Sequence, residues 1–256
     1  MKIRLGKSFK NGALIFFFSL AVFAAIGLVE KQQNEKVCNR VVVNIDNQYD
    51  NYFLSESDII SLVTDGGREQ IVGRNFNELP LKSIEARIKA DKFVEEVEVY
   101  KDLKGNLIVK AEQSQPLARV IQDTGPDAYI DRSGKVLPVS ERFTARVILV
   151  GGDYTPQLVK KDLNTSKEGL EIFDLLKFIT EDEFWRSQIS EIYIDKERDI
   201  TMYPQVSRQV IEFGKAEDIE SKFKKLKIFY KEILPQKGWN NYEKVNLKYH
   251  NQIVCE

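Results

Sequence analysis

The chain has 256 residues, of which 43% are hydrophobic and 30% are charged, and its formal net charge is −1. This composition predicts a globular chain with one large or two small domains. It argues against a nucleic-acid-binding protein, because basic and acidic residues nearly cancel and no basic patch is interleaved with aromatic residues. The only two cysteines, Cys38 and Cys255, are too few for a disulfide framework. We expect two free thiols, and a single bridge between them is the alternative.

The first feature along the chain is an uncharged apolar run at residues 13–29. A helix of 17 residues is about 26 Å long, at the lower end of what spans a hydrocarbon core. The segment before it contains four basic residues and no acidic one: Lys2, Arg4, Lys7 and Lys10. Basic residues beside a first apolar segment stay in the cytoplasm. The run therefore predicts an uncleaved anchor with the amino terminus inside.

This interpretation divides the chain into a cytoplasmic tail (1–12), a transmembrane helix (13–29) and a spacer (30–36), with everything after them outside the cytoplasmic membrane. A cleaved signal peptide is the alternative, because Ala25–Gly27 offers the small residues that a peptidase requires. The residues after the run include 34 basic and 39 acidic side chains, so the displayed part is acidic.

Residues 37–113 predict a small unit with the order strand, helix, helix, strand, strand. Residues 37–45 are rich in β-branched side chains and predict a strand. Ser55 and Asp58 form the signature of a helix N-terminus, and Pro80 is suited to begin a second helix. Two alternating runs around Gly105-Asn106 then predict a hairpin.

Residues 114–256 predict a larger unit with a mixed sheet and flanking helices, so the whole chain is of the α+β class. Short strands are expected at 117–121, 128–130, 135–137, 146–150, 191–194, 200–203 and 209–213. Ser166 is expected to cap a helix at 167–180 whose core face carries Leu170, Phe173, Leu176 and Ile179, with Phe184, Trp185 and Ile189 closing over it. A second helix is expected at 216–234, with an end at Pro235.

The last segment alternates between two faces and predicts one terminal strand. Val245, Leu247, Tyr249, Asn251, Ile253 and Cys255 share one face, and Lys244, Asn246, Lys248, His250, Gln252 and Val254 share the other. A terminal strand is commonly found at a sheet edge with unpaired N–H and C=O groups. The loop before it contains Trp239, Asn240 and Tyr242, which either pack the turn or anchor a partner.

In their order, these motifs resemble the FtsQ/DivIB family of cell-division proteins, and the first unit resembles a POTRA domain. The resemblance runs through GRNFNELPLKSIEARI, FVEEVEVYKDLKGNLIVKAEQSQPLAR, YIDRSGKVL, VILVGG and KVNLKYHNQIV, which together cover nearly the whole chain behind the predicted anchor. The junction from Glu112 to Ala118 is similar to the family's Glu-x-x-Pro-x-Ala pattern, with a longer spacer.

The resemblance implies a scaffold without catalysis that is located in the cytoplasmic membrane at the division septum. It also implies that the C-terminal unit binds bitopic coiled-coil partners of the FtsB/DivIC and FtsL types by strand addition, and that it acts with other divisome components in septal wall synthesis. The POTRA-like unit would help recruitment. We therefore expect a docking site at the terminal strand: Lys244, Val245, Asn246, Leu247, Lys248, Tyr249, His250, Gln252 and Val254, with Trp239 and Tyr242 beside it.

The chemistry that catalysis requires is sparse. The single histidine, His250, does not suffice for a His-rich metal site or a Ser–His–acid triad, and no Walker loop is present, so we expect no cofactor, metal or catalytic site. The acids at 95–96 and 181–183 suggest either solvated surface groups or glycosidase carboxylates. Two other functions therefore stay open: a different POTRA-bearing envelope assembly factor and an enzyme acting on wall polymer.

Overall fold

A computed structural model describes Phe16 and residues 18–23, 37–46, 51–250 and 252–256. Within these ranges, no helix has both the length and the hydropathy of a membrane span. Phe16 and residues 18–23 are helical, and the rest of the predicted anchor and the spacer lie outside the described residues. The structure divides into two compact units, the first containing 54–112 and the second containing 51–53 and the described residues of 113–256. Strand β1 belongs to the first unit.

The first unit confirms the predicted order of strand, two helices and two strands. Its elements are β1 (Arg40–Asp46), α1 (Glu56–Val63), a 3₁₀ turn (Phe76–Glu78), α2 (Leu81–Lys89), β2 (Val94–Lys101) and β3 (Asn106–Gln113). The sheet order is β1-β3-β2, and β1 runs parallel to β3. Parallel neighbours need a crossover, and the two helices supply it.

Local sequence signals fix both helices of this unit. The Ser55 side chain accepts a hydrogen bond from the Asp58 N–H, while the Asp58 carboxylate accepts one from the Ser55 N–H, so the predicted capping box is present. Pro80 precedes the first residue of α2, as predicted. Helix α2 buries Ile84 and Ile88 completely in the core of this unit.

The second unit contains one large mixed sheet with helices packed on it. Its strands are β4 (Pro116–Val120), β5 (Ala128–Asp131), β6 (Val136–Pro138), β7 (Ile148–Gly151), β8 (Ile189–Ile194), β9 (Ile200–Pro204), β10 (Val210–Gly214), β11 (Lys244–Asn246) and β12 (Val254–Cys255). Its helices are α3 (Thr155–Leu158), α4 (Lys167–Glu181), α5 (Glu183–Gln188), α6 (Ile219–Ile228) and α7 (Leu234–Lys237). The strand order is β12-β11-β10-β9-β8-β7-β4-β5-β6.

The core of the second unit lies between one face of this sheet and the helices. Side chains along each strand point alternately to the two faces of the sheet. On the covered face, buried residues such as Ile192, Met202 and Phe213 pack with Leu176 from α4 and Phe223 from α6. Trp185 is also buried in this cluster, as predicted. The other face is more exposed. One cross-strand row on it runs Tyr193, Thr201, Glu212, Asn246, Val254.

Two predictions about the helices are wrong. Leu170 is 41% exposed instead of facing the core, because the preceding residue, Gly169, is the one that packs against the chain beneath α4. A Cβ added to Gly169 would lie 2.3 Å from the Leu163 carbonyl oxygen. This close approach sets the rotation of α4 about its axis. Pro235 does not end the second helix. A π-helical turn (Phe229–Ile233) leads into α7, where Pro235 occupies the first turn and no N–H is needed.

Candidate docking site

The C-terminal segment forms a hairpin, and the prediction of one continuous strand from Lys244 is wrong. Strand β11 ends at Asn246, and β12 returns antiparallel to it, with Val245 opposite Cys255. Alternation alone does not reveal this reversal, because each arm of the hairpin keeps the same two-residue period. The predicted docking residues are therefore distributed over two strands and the connection between them.

Hydrogen bonds within the chain explain why β11 ends where it does. The Asn246 side-chain oxygen accepts a hydrogen bond from the Lys248 N–H at 2.9 Å, which is the pattern of an Asx turn. Leu247 is fully buried and donates its N–H to the Glu212 carbonyl oxygen at 2.9 Å. The chain is thus held against β10 at Leu247 and turned immediately afterwards.

Lys225 of α6 holds the connection between β11 and β12. Its ammonium group donates hydrogen bonds to the carbonyl oxygens of Leu247 at 3.3 Å, Tyr249 at 2.6 Å and His250 at 3.4 Å. Desolvation by burial lowers the pKa of Lys225. These three contacts fix the backbone of a connection whose side chains at positions 248–250 are exposed.

Asp199 adds a charged contact on the same side. Its carboxylate lies 3.1 Å from the Lys215 ammonium and 3.3 Å from that of Lys248. Burial raises the pKa of Asp199, but hydrogen bonds from these two lysines outweigh burial, so the net pKa is lowered. The carboxylate therefore stays ionised and ties the connection to the β8–β9 turn.

Strand β12 is the outermost strand at one end of the sheet. Lys244 and Glu256 exchange two backbone hydrogen bonds, at 3.1 and 3.0 Å. Hydrogen-bonded and non-hydrogen-bonded pairs alternate in an antiparallel ladder, so the next pair, Val245 and Cys255, is of the second type. The N–H and C=O of Cys255 therefore point away from β11. We call this outward side of residues 253–255 the docking edge.

The exposed face beside the docking edge is stabilised by polar contacts. Glu212 accepts a hydrogen bond from the Asn246 side chain at 2.7 Å and lies 3.0 Å from the Lys244 ammonium. The hydrogen bond that the Lys244 ammonium donates to the Glu212 carboxylate is the main reason why the pKa of Lys244 is raised. These side chains keep β10 and β11 aligned, so they support the hairpin from its open face.

The structure brings only some of the predicted docking residues to the surface. Val245 and Leu247 are fully buried in the core, where they support the hairpin and do not face a partner. Lys248, Tyr249, His250 and Gln252 are exposed in the connection, Lys244 and Asn246 are half-buried, and Val254 is half-buried on β12. The predicted set did not include Cys255, whose backbone N–H and C=O face outward.

The two aromatic residues before β11 have different surroundings. Trp239 is 48% exposed, and its ring centroid is 6.3 Å from that of Tyr230. Its carbonyl oxygen accepts a hydrogen bond from the Gln209 side chain. Tyr242 is half-buried and its ring centroid is 5.8 Å from that of Phe229. Tyr242 is thus a packing residue, while Trp239 presents part of an indole to solvent.

The other residues singled out from the sequence do not assemble into a reactive site. Cys38 and Cys255 are free thiols, and burial raises the pKa of both. Glu181 and Glu183 are exposed and flank Asp182, which caps α5 by accepting hydrogen bonds from the Phe184 and Trp185 N–H groups. Among the described residues, no cluster of His, Cys, Asp and Glu side chains is suited to hold a metal ion.

Taken together, the α/β unit and the larger unit, whose mixed sheet ends in an edge hairpin, define a two-unit protein of the α+β class. Comparison with known proteins then gives the family. The family model "FtsQ/DivIB, C-terminal related" matches residues 115–256, and the model "POTRA-like domain" matches residues 36–112. No curated protein matches the chain. The chain belongs to the FtsQ/DivIB family, which is a non-enzymatic family of cell-division proteins.

Proposed function

We propose that this protein is a non-enzymatic scaffold of the bacterial divisome. It binds bitopic partners of the FtsB/DivIC and FtsL types on the extracytoplasmic side of the cytoplasmic membrane, and so coordinates septal wall synthesis. The resemblance of the sequence to the FtsQ/DivIB family supports these partners, and the family assignment supports a role in cell division.

The observation that carries the proposal is the docking edge. The outward N–H and C=O groups of Cys255 offer main-chain hydrogen bonds to a further strand, and the exposed side chains beside them offer selectivity. An unprotected edge strand is an aggregation hazard unless a partner, a bulge or a charge covers it. Lys244 and Glu256 supply charge next to this edge, which favours selective over indiscriminate pairing.

The apolar run at residues 13–29 supports a single-pass type II anchor with the bulk of the chain outside the cytoplasm. Such a tether confines the protein and its bitopic partners to one membrane surface. Confinement raises their effective concentration, so contacts of modest affinity suffice.

The direct test is co-purification of the full chain with its FtsB/DivIC-like and FtsL-like partners from the same cell. Cys255→Pro removes an outward N–H donor and leaves the hydrogen-bonded pair of Lys244 and Glu256 in place. Cys255→Ser keeps that donor and is the matched control. We expect the proline variant to bind its partner about two- to tenfold more weakly, because the lost hydrogen bond contributes about 0.5–1.5 kcal/mol, and the ring, which also blocks approach, adds to this loss.

Proline at Asn246 is a poorer test, because this residue pairs with both β10 and β12 and its loss would test folding instead of docking. Normal partner retention by a folded Cys255→Pro variant would contradict the docking edge. Failure of the unaltered chain to retain either partner would contradict the partner class itself. It would favour the other POTRA-bearing assembly factor as the function.

A further inference from the structure

A second surface of the C-terminal unit has the properties of a binding site. It is a cleft of about 1140 Å³ where strands β4, β7 and β8 begin, and it is lined by Pro116, Ile148 and Ile189 from these strands. Its volume lies at the upper limit of the roughly 300–1,000 Å³ of small-molecule pockets, so it has room for a short peptide segment. None of its lining residues lies between Lys244 and Glu256. The cleft is therefore distinct from the docking edge.

Three exposed arginines line this cleft: Arg132 from the β5–β6 turn, Arg146 before β7 and Arg186 from α5. We call this surface the arginine cleft. None of the three forms an ion pair with any acidic side chain that the structure describes, and the described lining includes no aspartate or glutamate. Two other arginines of the same unit are paired: Arg119 lies 2.8 Å from Asp127, and Arg198 lies 3.3 Å from Glu171.

Apolar side chains also line the arginine cleft. Phe143, Val147 and Leu149 are partly exposed, and Leu117, Ile148, Ile179 and Ile189 belong to the buried core. Hydrogen-bonding side chains complete the lining, namely Gln115, Thr180, Ser190 and Gln205. A ligand that matches this lining needs carboxylates for the arginines, aliphatic groups for the apolar side chains and amide groups for the polar ones.

We propose that the arginine cleft binds an acidic segment of a partner protein in which aspartate or glutamate residues alternate with aliphatic ones. The guanidinium groups pair with carboxylates in bidentate geometry, and arginine is enriched at protein interfaces for this reason. An anionic polysaccharide would satisfy the charges but would leave the apolar side chains of the lining without a partner. The proposal stands independently of the docking edge, because different strands carry the two surfaces.

The test measures binding of a fluorescent decapeptide of alternating glutamate and leucine to the detergent-solubilised full chain. The comparison peptide carries lysine in place of glutamate. We expect the acidic peptide alone to bind, and each Arg→Gln change at positions 132, 146 and 186 to weaken binding about two- to fivefold. The triple variant should bind the acidic peptide about ten- to a hundredfold more weakly, because the free energies of well-separated contacts add. The affinity of Arg→Lys variants should lie between those of the unaltered chain and the Arg→Gln variants. Lysine keeps the positive charge but lacks the planar guanidinium group that forms two parallel hydrogen bonds with a carboxylate.

The matched control is the triple variant Lys224→Gln, Lys231→Gln and Lys237→Gln, which removes the same charge from exposed positions outside the cleft. Equal binding by the two triple variants would overturn the proposal, because net charge alone would then explain the affinity. No binding of the acidic peptide below about 1 mM would also overturn it. Binding of dextran sulfate to the arginines with no binding of the peptide would assign the cleft to anionic polymer instead. Thermal unfolding of each variant confirms that the substitutions leave the fold intact.

Discussion

Single polar residues determine the geometry of the C-terminal hairpin. Lys225 binds three carbonyl oxygens of the connection, Asn246 turns the chain, and Asp199 holds Lys248. None of these residues touches the outward side of β12, yet each restrains the backbone from which β12 returns. Preorganisation of this kind lowers the cost of ordering a docking strand when a partner binds.

Asp199 allows a prediction about pH. Its pKa is lowered in the folded state, so its contribution to stability is present above the unfolded pKa of about 3.9 and is lost as the pH falls through the folded pKa. At neutral pH, Asp199→Asn should therefore lower the thermal midpoint of the second unit, and this difference from the unaltered chain should shrink below about pH 4. Thermal unfolding followed between neutral pH and about pH 3 would measure it.

The matched control for this prediction is Asp174→Asn on the exposed side of α4. It should leave the midpoint nearly unchanged across the same range, because surface substitutions away from such contacts have small effects. A difference between Asp199→Asn and the unaltered chain that persists undiminished at low pH would show that the carboxylate charge is not the source of the stability.

At the residue scale, the sequence predicts what depends on neighbours in the chain. The capping box of Ser55 and Asp58 and the cap of Ser166 are visible as short patterns, and the structure confirms both. The role of Lys225 is not visible in the sequence. A lysine on a helix is expected to be solvated, and the carbonyl oxygens that accept its hydrogen bonds lie 22 to 25 residues away along the chain. The grouping of Arg132, Arg146 and Arg186 in one cleft is not visible in the sequence for the same reason, because these residues are far apart along the chain.

The helices of the second unit show how local preference and packing compete. Gly169 lies in the first turn of α4 and is buried, and a Cβ there would lie 2.3 Å from the Leu163 carbonyl oxygen. Alanine normally favours a helix by about 1 kcal/mol over glycine. Here we expect Gly169→Ala to lower the free energy of unfolding by about 1–3 kcal/mol, because backbone must shift to admit the methyl group.

Chemical denaturation of the full chain would measure this change. Ser187→Ala on the exposed side of α5 provides the comparison, because it adds no atom and removes only the hydroxyl that donates to the Phe184 carbonyl oxygen. A stabilised Gly169→Ala variant would show that helix preference outweighs the close contact with Leu163.

At the element scale, prediction succeeds where one pattern has one meaning. The strands β7 to β10 and the helices α2 and α4 follow from alternation and from an apolar stripe, and the structure confirms them. It fails at the last hairpin and at Pro235. In both places a local device, the Asx turn of Asn246 or the π-helical turn before Pro235, changes the path without changing the hydrophobic period.

At the scale of the whole molecule, the second unit is discontinuous in sequence. Residues 51–53 belong to it, although residues 54–112 form the other unit. Phe53 is 4% exposed, with ring centroids 5.5 Å from Tyr129 and 5.2 Å from Phe143. The Gln113 side chain also donates a hydrogen bond to the Asn51 carbonyl oxygen at 2.8 Å. The sequence did not indicate this arrangement, because residues 51–53 carry no periodic pattern of their own.

We therefore predict that Phe53→Ala destabilises the second unit by about 3–5 kcal/mol, as expected for removal of a buried phenylalanine. The amides of β4, β5 and β7 should exchange hydrogen faster in this variant, while those of α1 and α2 should keep their rates. Tyr52 is 56% exposed and contacts Phe143 at 5.7 Å, so Tyr52→Ala should have a smaller effect. Equally faster hydrogen exchange in both units would show that they unfold together, and it would contradict their treatment as separate folding units.

The parallel register of β1 and β3 has a consequence for the order of folding. Asp46 and Glu112 are direct neighbours at the ends of these strands, although 66 positions separate them along the chain. Once β1 and β3 pair, residues 51–53 and Gln113 are joined by a much shorter effective loop than the covalent chain implies. The entropy of closing that loop is then already lost. We therefore expect pairing of β1 with β3 to precede the contact between residues 51–53 and Gln113 during folding.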